Sequence, residues 1–336
     1  MRAFVIKQLS HPSKIELTRD APEPKPDPSQ VLVDVYSAGL NFFDILQAQG
    51  KYQIRPELPF VLGSEFAGIV SKDSAIPLGC SFKPGDRVFG LAQGAYADQV
   101  LVDPRQLLHL PKNLTFDQGS GLFITWPTNY EGLVGRARLQ EGEWVLITAA
   151  AGGIGMSAVQ IAKALGAKVI AAAGSQAKLD AVRKHAGADH LIDYTKPGWQ
   201  KEVLKITGGH GVDVVYDPVG LIQDSLKCIA WKGRAVVVGF AGGKIEQLPL
   251  NLVLLKNIEI TGIHWGAYTI KEPERIPSVY KAILGMLQPG KVTPVIYPEV
   301  YPLERLTEGL VALENRKTWG KVVVRVKDEP APTAKL

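Results

Sequence analysis

The 336-residue sequence has only two cysteines, Cys80 and Cys228, and they lie far apart in the chain. Two cysteines cannot form a disulfide framework or a four-cysteine zinc site, so the class of small disulfide-stapled secreted proteins is excluded. Each is interpreted as a small buried hydrophobic residue. The sequence therefore predicts a protein of a reducing compartment.

Long hydrophobic runs and blocks of like charge are also missing. No stretch of 18 apolar residues could span a bilayer, and strand-like residues begin at Met1, so we expect neither a membrane anchor nor a secretory leader. The 38 basic and 33 acidic residues are scattered and give a net charge of +5. This small excess suits a phosphorylated cofactor and argues against a nucleic-acid surface.

The pattern of apolar runs predicts an α/β protein of two domains. Residues 1–125 contain short strands broken by proline and glycine and are interpreted as one mostly-β domain. Residues 126–265 alternate strands and helices, which is typical of a doubly wound parallel sheet, the Rossmann fold. Residues 266–326 follow as a further segment, and residues 327–336 form a charged, Pro-rich tail that we expect to be disordered.

The centre of the chain is a strand, a glycine-rich turn, a helix and a second strand. Residues 144–148 and 168–173 are apolar runs of the length of buried strands. Between them lies the turn Ala150-x-Gly152-x-x-Gly155, in which alanine replaces the first glycine of the dinucleotide-binding pattern. Gly152 would let the backbone approach a pyrophosphate, and Gly155 would let the helix lie close to the strand. A turn with glycine for steric reasons alone is the alternative.

No acidic residue follows the second strand, where an NAD site would bind the ribose 2′-hydroxyl. The residues there are Gly174, Ser175, Gln176, Ala177 and Lys178. A hydroxyl and a cation suit a 2′-phosphate, so NADP(H) is predicted rather than NAD. In the alternative interpretation Lys178 is a solvated residue that opens the next helix.

These motifs resemble one family along nearly the whole chain. Residues 142–146 (G-E-W-V-L), residues 150–155 (A-A-G-G-I-G), Gln160 and Lys163 are similar to the signature of the zinc-independent quinone oxidoreductases, the zeta-crystallin-like branch of the medium-chain dehydrogenase/reductases. The resemblance implies that residues 1–125 form a chaperonin-10-like catalytic domain to which residues 266–326 return. It also implies a homodimer paired through the later part of the strand-rich segment 248–265, and an acceptor bound in the cleft between the domains.

The resemblance and the ends of the later strands extend the set of predicted cofactor contacts. The set consists of Asn41, Thr128, Tyr130, Ala151, Gly152, Gly153, Ile154, Gly155, Ser175, Lys178, Tyr194, Gly239, Phe240 and Trp265. For Trp265 a role in an interface is the alternative.

Asn41 and Tyr52 match the family positions beside the reacting groups and are the predicted catalytic residues. The alternatives are an Asx turn for Asn41 and a core aromatic role for Tyr52. Leu46 departs from the family, which commonly has tyrosine there, and this puts the quinone preference in question.

No metal is predicted. Zinc-dependent relatives would carry cysteine and histidine ligands where this chain has Asn41 and Ser64, and an amide and a hydroxyl cannot replace a thiolate and an imidazole around zinc. Without a Lewis acid the acceptor must already be electron-poor.

The sequence thus predicts an NADPH-dependent oxidoreductase that transfers hydride to a quinone or a conjugated enone. A reductase of enoyl thioesters is one alternative, and a non-catalytic NADPH-binding or RNA-binding protein is another. The end of the chain, Ala334-Lys335-Leu336, resembles a peroxisomal address. The predicted location is therefore cytoplasmic or peroxisomal.

Overall fold

The computed structural model describes residues 1–329. The tripeptide Ala334-Lys335-Leu336 and most of the predicted tail lie outside the described residues. Within residues 1–329, no helix has both the length and the apolar composition needed to cross a bilayer.

The strands within residues 1–329 are, in chain order, β1 (Val5–Ile6), β2 (Val31–Gly39), β3 (Phe60–Val61), β4 (Glu65–Val70), β5 (Arg87–Leu91), β6 (Gln99–Val102), β7 (Leu107–His109), β8 (Trp144–Ile147), β9 (Lys168–Ala173), β10 (His190–Asp193), β11 (Val212–Asp217), β12 (Ile229–Val237), β13 (Glu259–Gly262), β14 (Tyr301–Pro302) and β15 (Val323–Arg325). The α-helices are α1 (Phe42–Ala48), α2 (Phe116–Gly119), α3 (Thr125–Tyr130), α4 (Gly153–Ala164), α5 (Gln176–His185), α6 (Trp199–Ile206), α7 (Ile222–Ser225), α8 (Leu250–Lys256), α9 (Tyr268–Lys271), α10 (Arg275–Leu287) and α11 (Leu306–Glu314).

The chain forms two compact units. The discontinuous unit combines residues 1–124 with the described residues from Ile296 onward, and the inserted unit is residues 125–295. The predicted return to the first domain at residue 266 differs from this division, because α10 belongs to the inserted unit. Its Val279 and Leu287 are fully buried there, and its Arg275 forms an ion pair with Glu131 at 2.9 Å.

The discontinuous unit is built on a mainly antiparallel sheet in the order β14-β15-β2-β4-β5-β7, with β6 also pairing with β2. The central strand β2 is longer than the predicted run 31–35, because it pairs with β6 over its first half and with β15 over its last three residues. Its pairing with residues 323–325 ties the end of the described chain into the sheet. The last strands of this unit therefore come after the whole inserted unit in the chain.

The inserted unit contains a parallel sheet in the order β10-β9-β8-β11-β12-β13. The order reverses beside β8, as it does in doubly wound dinucleotide-binding folds. Five of the six residues of β9 are buried, as expected for a strand covered on both faces. The predicted α/β architecture, with a Rossmann sheet and a separate mostly-β domain, is confirmed.

The segment 248–265 is less strand-rich than predicted. Residues 250–256 form α8, and only the later part forms a strand, β13. The sequence Leu-Asn-Leu-Val-Leu-Leu-Lys has no period of two, and leucine and lysine favour helices. Asn257, in the left-handed conformation at φ 52°, ends α8 and separates it from β13.

The start of α4 lies directly against the turn after β8. A Cβ atom at Gly155 would come within 2.4 Å of the Ala149 carbonyl oxygen and of the Ala150 Cα. Both neighbours are backbone atoms, so no side chain can rotate away to make room. Glycine at 155 therefore sets the distance between helix and strand.

We expect Gly155→Ala to lower the free energy of unfolding of the inserted unit by about 1–3 kcal/mol, because the added methyl group overpacks a rigid backbone contact. Urea unfolding followed by circular dichroism measures this change. Gly285→Ala is the matched control, since Gly285 is an exposed helical glycine with open space around its Cβ position. It should be neutral or stabilising by up to about 1 kcal/mol. Equal effects of the two changes would contradict the packing role of Gly155.

Candidate functional site

The turn between β8 and α4 places a helix N-terminus beside an exposed glycine. Gly152 is the N-cap of α4, and among residues 1–329 no side chain caps this helix and no acidic residue lies in its first turn. A Cβ atom at Gly152 would meet only the Ala149 carbonyl oxygen, at 3.6 Å. The space beside Gly152 is therefore open, whereas the space beside Gly155 is filled by backbone atoms. A diphosphate fits both this space and the positive end of the helix dipole.

The residues predicted to hold a 2′-phosphate lie together at the ends of β9 and β10. Ser175 is the N-cap of α5, and its hydroxyl oxygen accepts a hydrogen bond from the Lys178 backbone N–H at 3.4 Å. Tyr194 follows β10, and its hydroxyl oxygen would lie 3.4 Å from a Cβ at Gly174. Serine, lysine and tyrosine offer hydrogen-bond donors with no carboxylate among residues 174–178, so the arrangement fits a phosphate.

The later strands of the inserted unit bring other predicted contacts to the same sheet edge. Gly239 follows β12, and a Cβ there would meet only the Pro218 carbonyl oxygen, at 3.4 Å. Phe240 beside it is exposed. Trp265 is instead buried, with its ring stacked on Tyr268 at 4.9 Å between ring centres. Trp265 therefore packs within this unit, and its predicted contact with the cofactor stays a prediction.

Helix α3 carries Thr128 and Tyr130, and it also contains a buried residue that the sequence did not single out. The Asn129 amide donates hydrogen bonds to the Ile154 carbonyl oxygen at 2.8 Å and to the Ser157 hydroxyl at 2.7 Å. Its Oδ1 accepts a hydrogen bond from the Tyr216 hydroxyl at 2.8 Å. Asn129 thus fixes the first turn of α4. The sequence offered one sign of this role, since Asn129 stands between the predicted contacts Thr128 and Tyr130.

The predicted catalytic residues belong to the discontinuous unit. Asn41 is the N-cap of α1 and is 8% exposed. Its side-chain Nδ2 donates to Glu65 Oε1 at 2.9 Å and, less closely, to the Gly39 carbonyl oxygen at 3.4 Å. Its Oδ1 accepts a hydrogen bond from Lys321 Nζ at 2.8 Å. Sequence reasoning missed Lys321, because a lysine beside a run of valines gives no sign of a partner 280 residues away.

Glu65 and Lys321 form a buried ion pair at the centre of these contacts. Glu65 is fully buried and Lys321 is 7% exposed. Lys321 Nζ donates to Glu65 Oε1, and the Ile124 backbone N–H donates to Glu65 Oε2 at 3.2 Å. Both carboxylate oxygens therefore have donors, as a buried charge requires.

Asp44 is a second buried carboxyl group in the same region. Its Oδ2 accepts hydrogen bonds from the Tyr96 hydroxyl at 2.6 Å and from the Asn41 backbone N–H at 2.8 Å. Its Oδ1 and Gln47 Oε1 are both buried acceptors without a hydrogen-bond partner among the described residues. Burial raises the pKa of Asp44 to about 7, and burial and the nearby Asp44 raise that of Tyr96. A protonated Asp44 is neutral, which removes the cost of a buried charge whose Oδ1 has no donor.

Tyr52 lies on the loop after α1, with its ring stacked on Phe43 at 5.1 Å between ring centres. The ring is partly buried. Burial, and then the charge of Asp44, raise the pKa of Tyr52 above its ordinary value. The phenol therefore keeps its proton at neutral pH and can donate a hydrogen bond.

Within residues 1–329, no three His, Cys, Asp or Glu side chains are placed to share a metal ion. Asn41 and Ser64 both lie in buried positions of the discontinuous unit. Neither is a zinc ligand of the usual kind. The absence of a metal stays a prediction.

We expect the free energy of unfolding of the wild-type chain to fall between pH 4 and pH 7 by up to about 1.4 kcal/mol per pH unit from Asp44 alone. The folded pKa of about 7 lies above the ordinary 3.8, so in this window the folded state binds a proton that the unfolded chain releases. Asp44→Asn stays neutral and should lose this contribution. Urea unfolding from pH 4 to pH 8 measures it, with the exposed Asp73→Asn as control. Parallel profiles for wild type and Asp44→Asn would contradict a protonated Asp44.

Family models match both units. The model described as "Alcohol dehydrogenase GroES-like domain" matches residues 27–112, and the model described as "Zinc-binding dehydrogenase" matches residues 153–284. The first covers most of the region expected to resemble chaperonin-10. The second begins at Gly153, within the nucleotide turn, and covers the strands of the parallel sheet that follow the turn.

Relatives of the chain match along most of its length. A quinone oxidoreductase-like protein 2 homolog from Nematostella vectensis is 39% identical over 89% of this chain and 82% of its own length. The human quinone oxidoreductase is 32% identical over 92% of each chain. The crystal structure of the Escherichia coli quinone oxidoreductase in complex with NADPH is 30% identical and superposes with a TM-score of 0.87, covering 97% of this chain and all of that one. The chain therefore belongs to the quinone oxidoreductase, zeta-crystallin-like branch of the medium-chain dehydrogenase/reductase superfamily.

Proposed function

We propose that this protein is an NADPH-dependent, zinc-independent oxidoreductase that reduces a quinone or a conjugated enone. The observation that carries the proposal is the uncapped N-terminus of α4 beside Gly152, where the backbone leaves room for a ligand. Anions bind such helix ends because free N–H groups and the helix dipole both favour negative charge. The E. coli relative in complex with NADPH supports a phosphorylated nicotinamide cofactor as that ligand.

The choice of NADPH over NADH follows from the end of β9. Ser175, Lys178 and Tyr194 would surround the 2′-phosphate, with the ammonium group of Lys178 balancing its charge. Gly174 keeps the space beside Tyr194 open. When bound, NADPH supplies the hydride for the reduction. The residues of the chain hold and orient it.

The acceptor class follows from the lack of zinc ligands at Asn41 and Ser64. Without a metal ion to stabilise an alkoxide, the negative charge must spread through the acceptor itself, as it does in a hydroquinone anion or an enolate. The quinone oxidoreductase names of the relatives support the same class. Leu46 departs from the tyrosine common in the family and puts a preference for quinones in question, so the proposal includes enones as well.

We propose two residues to stabilise the oxygen of the acceptor. The Tyr52 phenol is protonated at neutral pH, as tyrosine ordinarily is, and its raised pKa keeps it so. It can therefore donate a hydrogen bond. Asn41 can donate by exchanging its long 3.4 Å bond to the Gly39 carbonyl oxygen for a bond to the acceptor. Its bond to Glu65 would hold the amide in place during this exchange.

We also propose that two copies of the chain pair through the inserted unit. The edge strand β13 pairs with β12 on one side, and the preceding α8 exposes Leu250, Leu254 and Leu255 to at least 68%. Exposed strand edges and apolar patches favour association.

If two copies pair, sedimentation velocity should give a mass of about twice 36.4 kDa. A monomer at micromolar concentration would refute the pairing.

The function is tested by steady-state kinetics of the purified chain with NADPH. We expect NADPH oxidation with 1,4-quinones or conjugated enones to exceed oxidation with an enoyl-CoA by at least about tenfold in kcat/KM. Calorimetry on the same sample should show NADPH binding. Binding without turnover across this panel would favour a non-catalytic NADPH-binding protein. No binding at all would overturn the assignment.

Lys178→Met should weaken NADPH binding by about 10-fold and leave NADH binding unchanged, because NADH lacks the 2′-phosphate that the lysine charge would balance. A tenfold change in Kd corresponds to about 1.4 kcal/mol. Calorimetric titration with each cofactor measures both affinities. Lys184→Met, at an exposed position near the end of the same helix α5, is the matched control and should bind both cofactors as the wild type does. Equal weakening of NADPH and NADH binding would contradict a contact between Lys178 and the 2′-phosphate.

A further inference from the structure

The ion pair between Glu65 and Lys321 is built into the interior and is not a surface contact. The side chain of Glu65 is fully buried and that of Lys321 is 8% exposed. Taking both charges out of water costs free energy, which close contact and further hydrogen bonds must offset. Replacing such a pair with apolar residues is often neutral or stabilising. Stability alone is therefore a weak reason for its presence.

Two glycines make room for the side chain of Lys321. A Cβ atom at Gly39 would lie 2.8 Å from Lys321 Cε, and one at Gly121 would lie 2.7 Å from Lys321 Cγ. Larger residues at either position would push the lysine stem aside. The discontinuous unit thus guides the ammonium group to the Asn41 amide and the Glu65 carboxylate.

The positions of the two charges decide which way the Asn41 amide faces. Oδ1 faces the ammonium group of Lys321, while Nδ2 faces the carboxylate of Glu65. Rotating the amide by half a turn would place its NH₂ group against a cation and its oxygen against an anion. Both contacts would change from attraction to repulsion. Neutral hydrogen-bond partners would hold the amide less strongly than these two charges do.

We propose that Lys321 is a positioning residue for the reduction, which together with Glu65 holds the Asn41 amide in a single orientation. This rests on the proposed function, in which Asn41 donates a hydrogen bond to the acceptor. The donor N–H groups of Asn41 are then always on the Glu65 side, and no free energy is spent on turning the amide during the reaction. Lys321 acts through Asn41 and needs no contact with the acceptor.

The test compares Lys321→Met with the double variant Glu65→Gln/Lys321→Met, in which the buried charges are removed together. We expect Lys321→Met to lower Tm, because it leaves the Glu65 charge uncompensated, and the double variant to recover most of that loss. In both variants kcat with the best acceptor should fall about 10- to 100-fold with little change in the KM for NADPH. Lys317→Met, at an exposed position in the same segment, is the matched control and should match the wild type.

A readout independent of turnover is the NMR signal of the Asn41 side-chain NH₂ group, assigned by its loss in Asn41→Ser. In the wild type we expect one pair of slowly exchanging protons. In both variants the exchange with solvent should become faster by at least about tenfold, since the amide is no longer held. The double variant keeps this measurement available if the single variant fails to fold.

Recovery of kcat in the double variant along with Tm would overturn the proposal, because Lys321 would then only balance a charge. An unchanged Asn41 NH₂ signal in both variants would overturn it as well. A wild-type chain that reduces no acceptor with NADPH would instead refute the proposed function, and the Asn41 exchange rates would then decide the role of Lys321 alone.

Discussion

The inserted unit depends on the close contact between α4 and the turn after β8. Only glycine at 155 allows this contact, since a Cβ would overlap two backbone atoms. The helix lies so near the strand that its first N–H groups end at the carboxyl edge of the sheet, beside Gly152. Asn129 secures the same turn from α3 through the Ile154 carbonyl oxygen. The position of the proposed cofactor is therefore a result of packing within this unit.

The discontinuous unit has a different constraint, which is a buried negative charge. Glu65 has no exposed surface, and its neighbours come from distant parts of the chain: Asn41, Ile124 and Lys321. Asp44 avoids the cost of a buried charge by protonation, because burial raises its pKa to about 7. One acid is paired with a cation, and the other is mostly protonated below its pKa of about 7. Together they leave the region with little net charge and allow two carboxyl groups to lie close to one another.

The sequence predicts the inserted unit well because its signals are local. Strand β9 has the predicted bounds, and the turn at Gly152 and Gly155 stands where the pattern requires. The prediction for residues 248–265 was wrong in its first half, since a short leucine-rich run does not distinguish a helix from a buried strand. The return to the first domain was placed 30 residues early for a related reason, because the helix of residues 275–287 gives no sign of which unit it packs against.

The partners of Asn41 could not be found from the sequence either, since Lys321 lies 280 residues away. Contacts of that kind depend on the completed sheet and leave no periodic pattern.

The interruption of one unit by the other has a consequence for the order of events during synthesis. Residues 125–295 are complete when they leave the ribosome and can fold at once, since contacts within that unit need nothing that follows. The other unit must wait until β15 pairs with β2 and Lys321 reaches Glu65. Until then a nascent chain holds an acid without its counter-charge and a β-sheet with an open edge. A ribosome stalled before residue 321 would therefore carry one finished domain and one whose open sheet edge leaves it prone to aggregation.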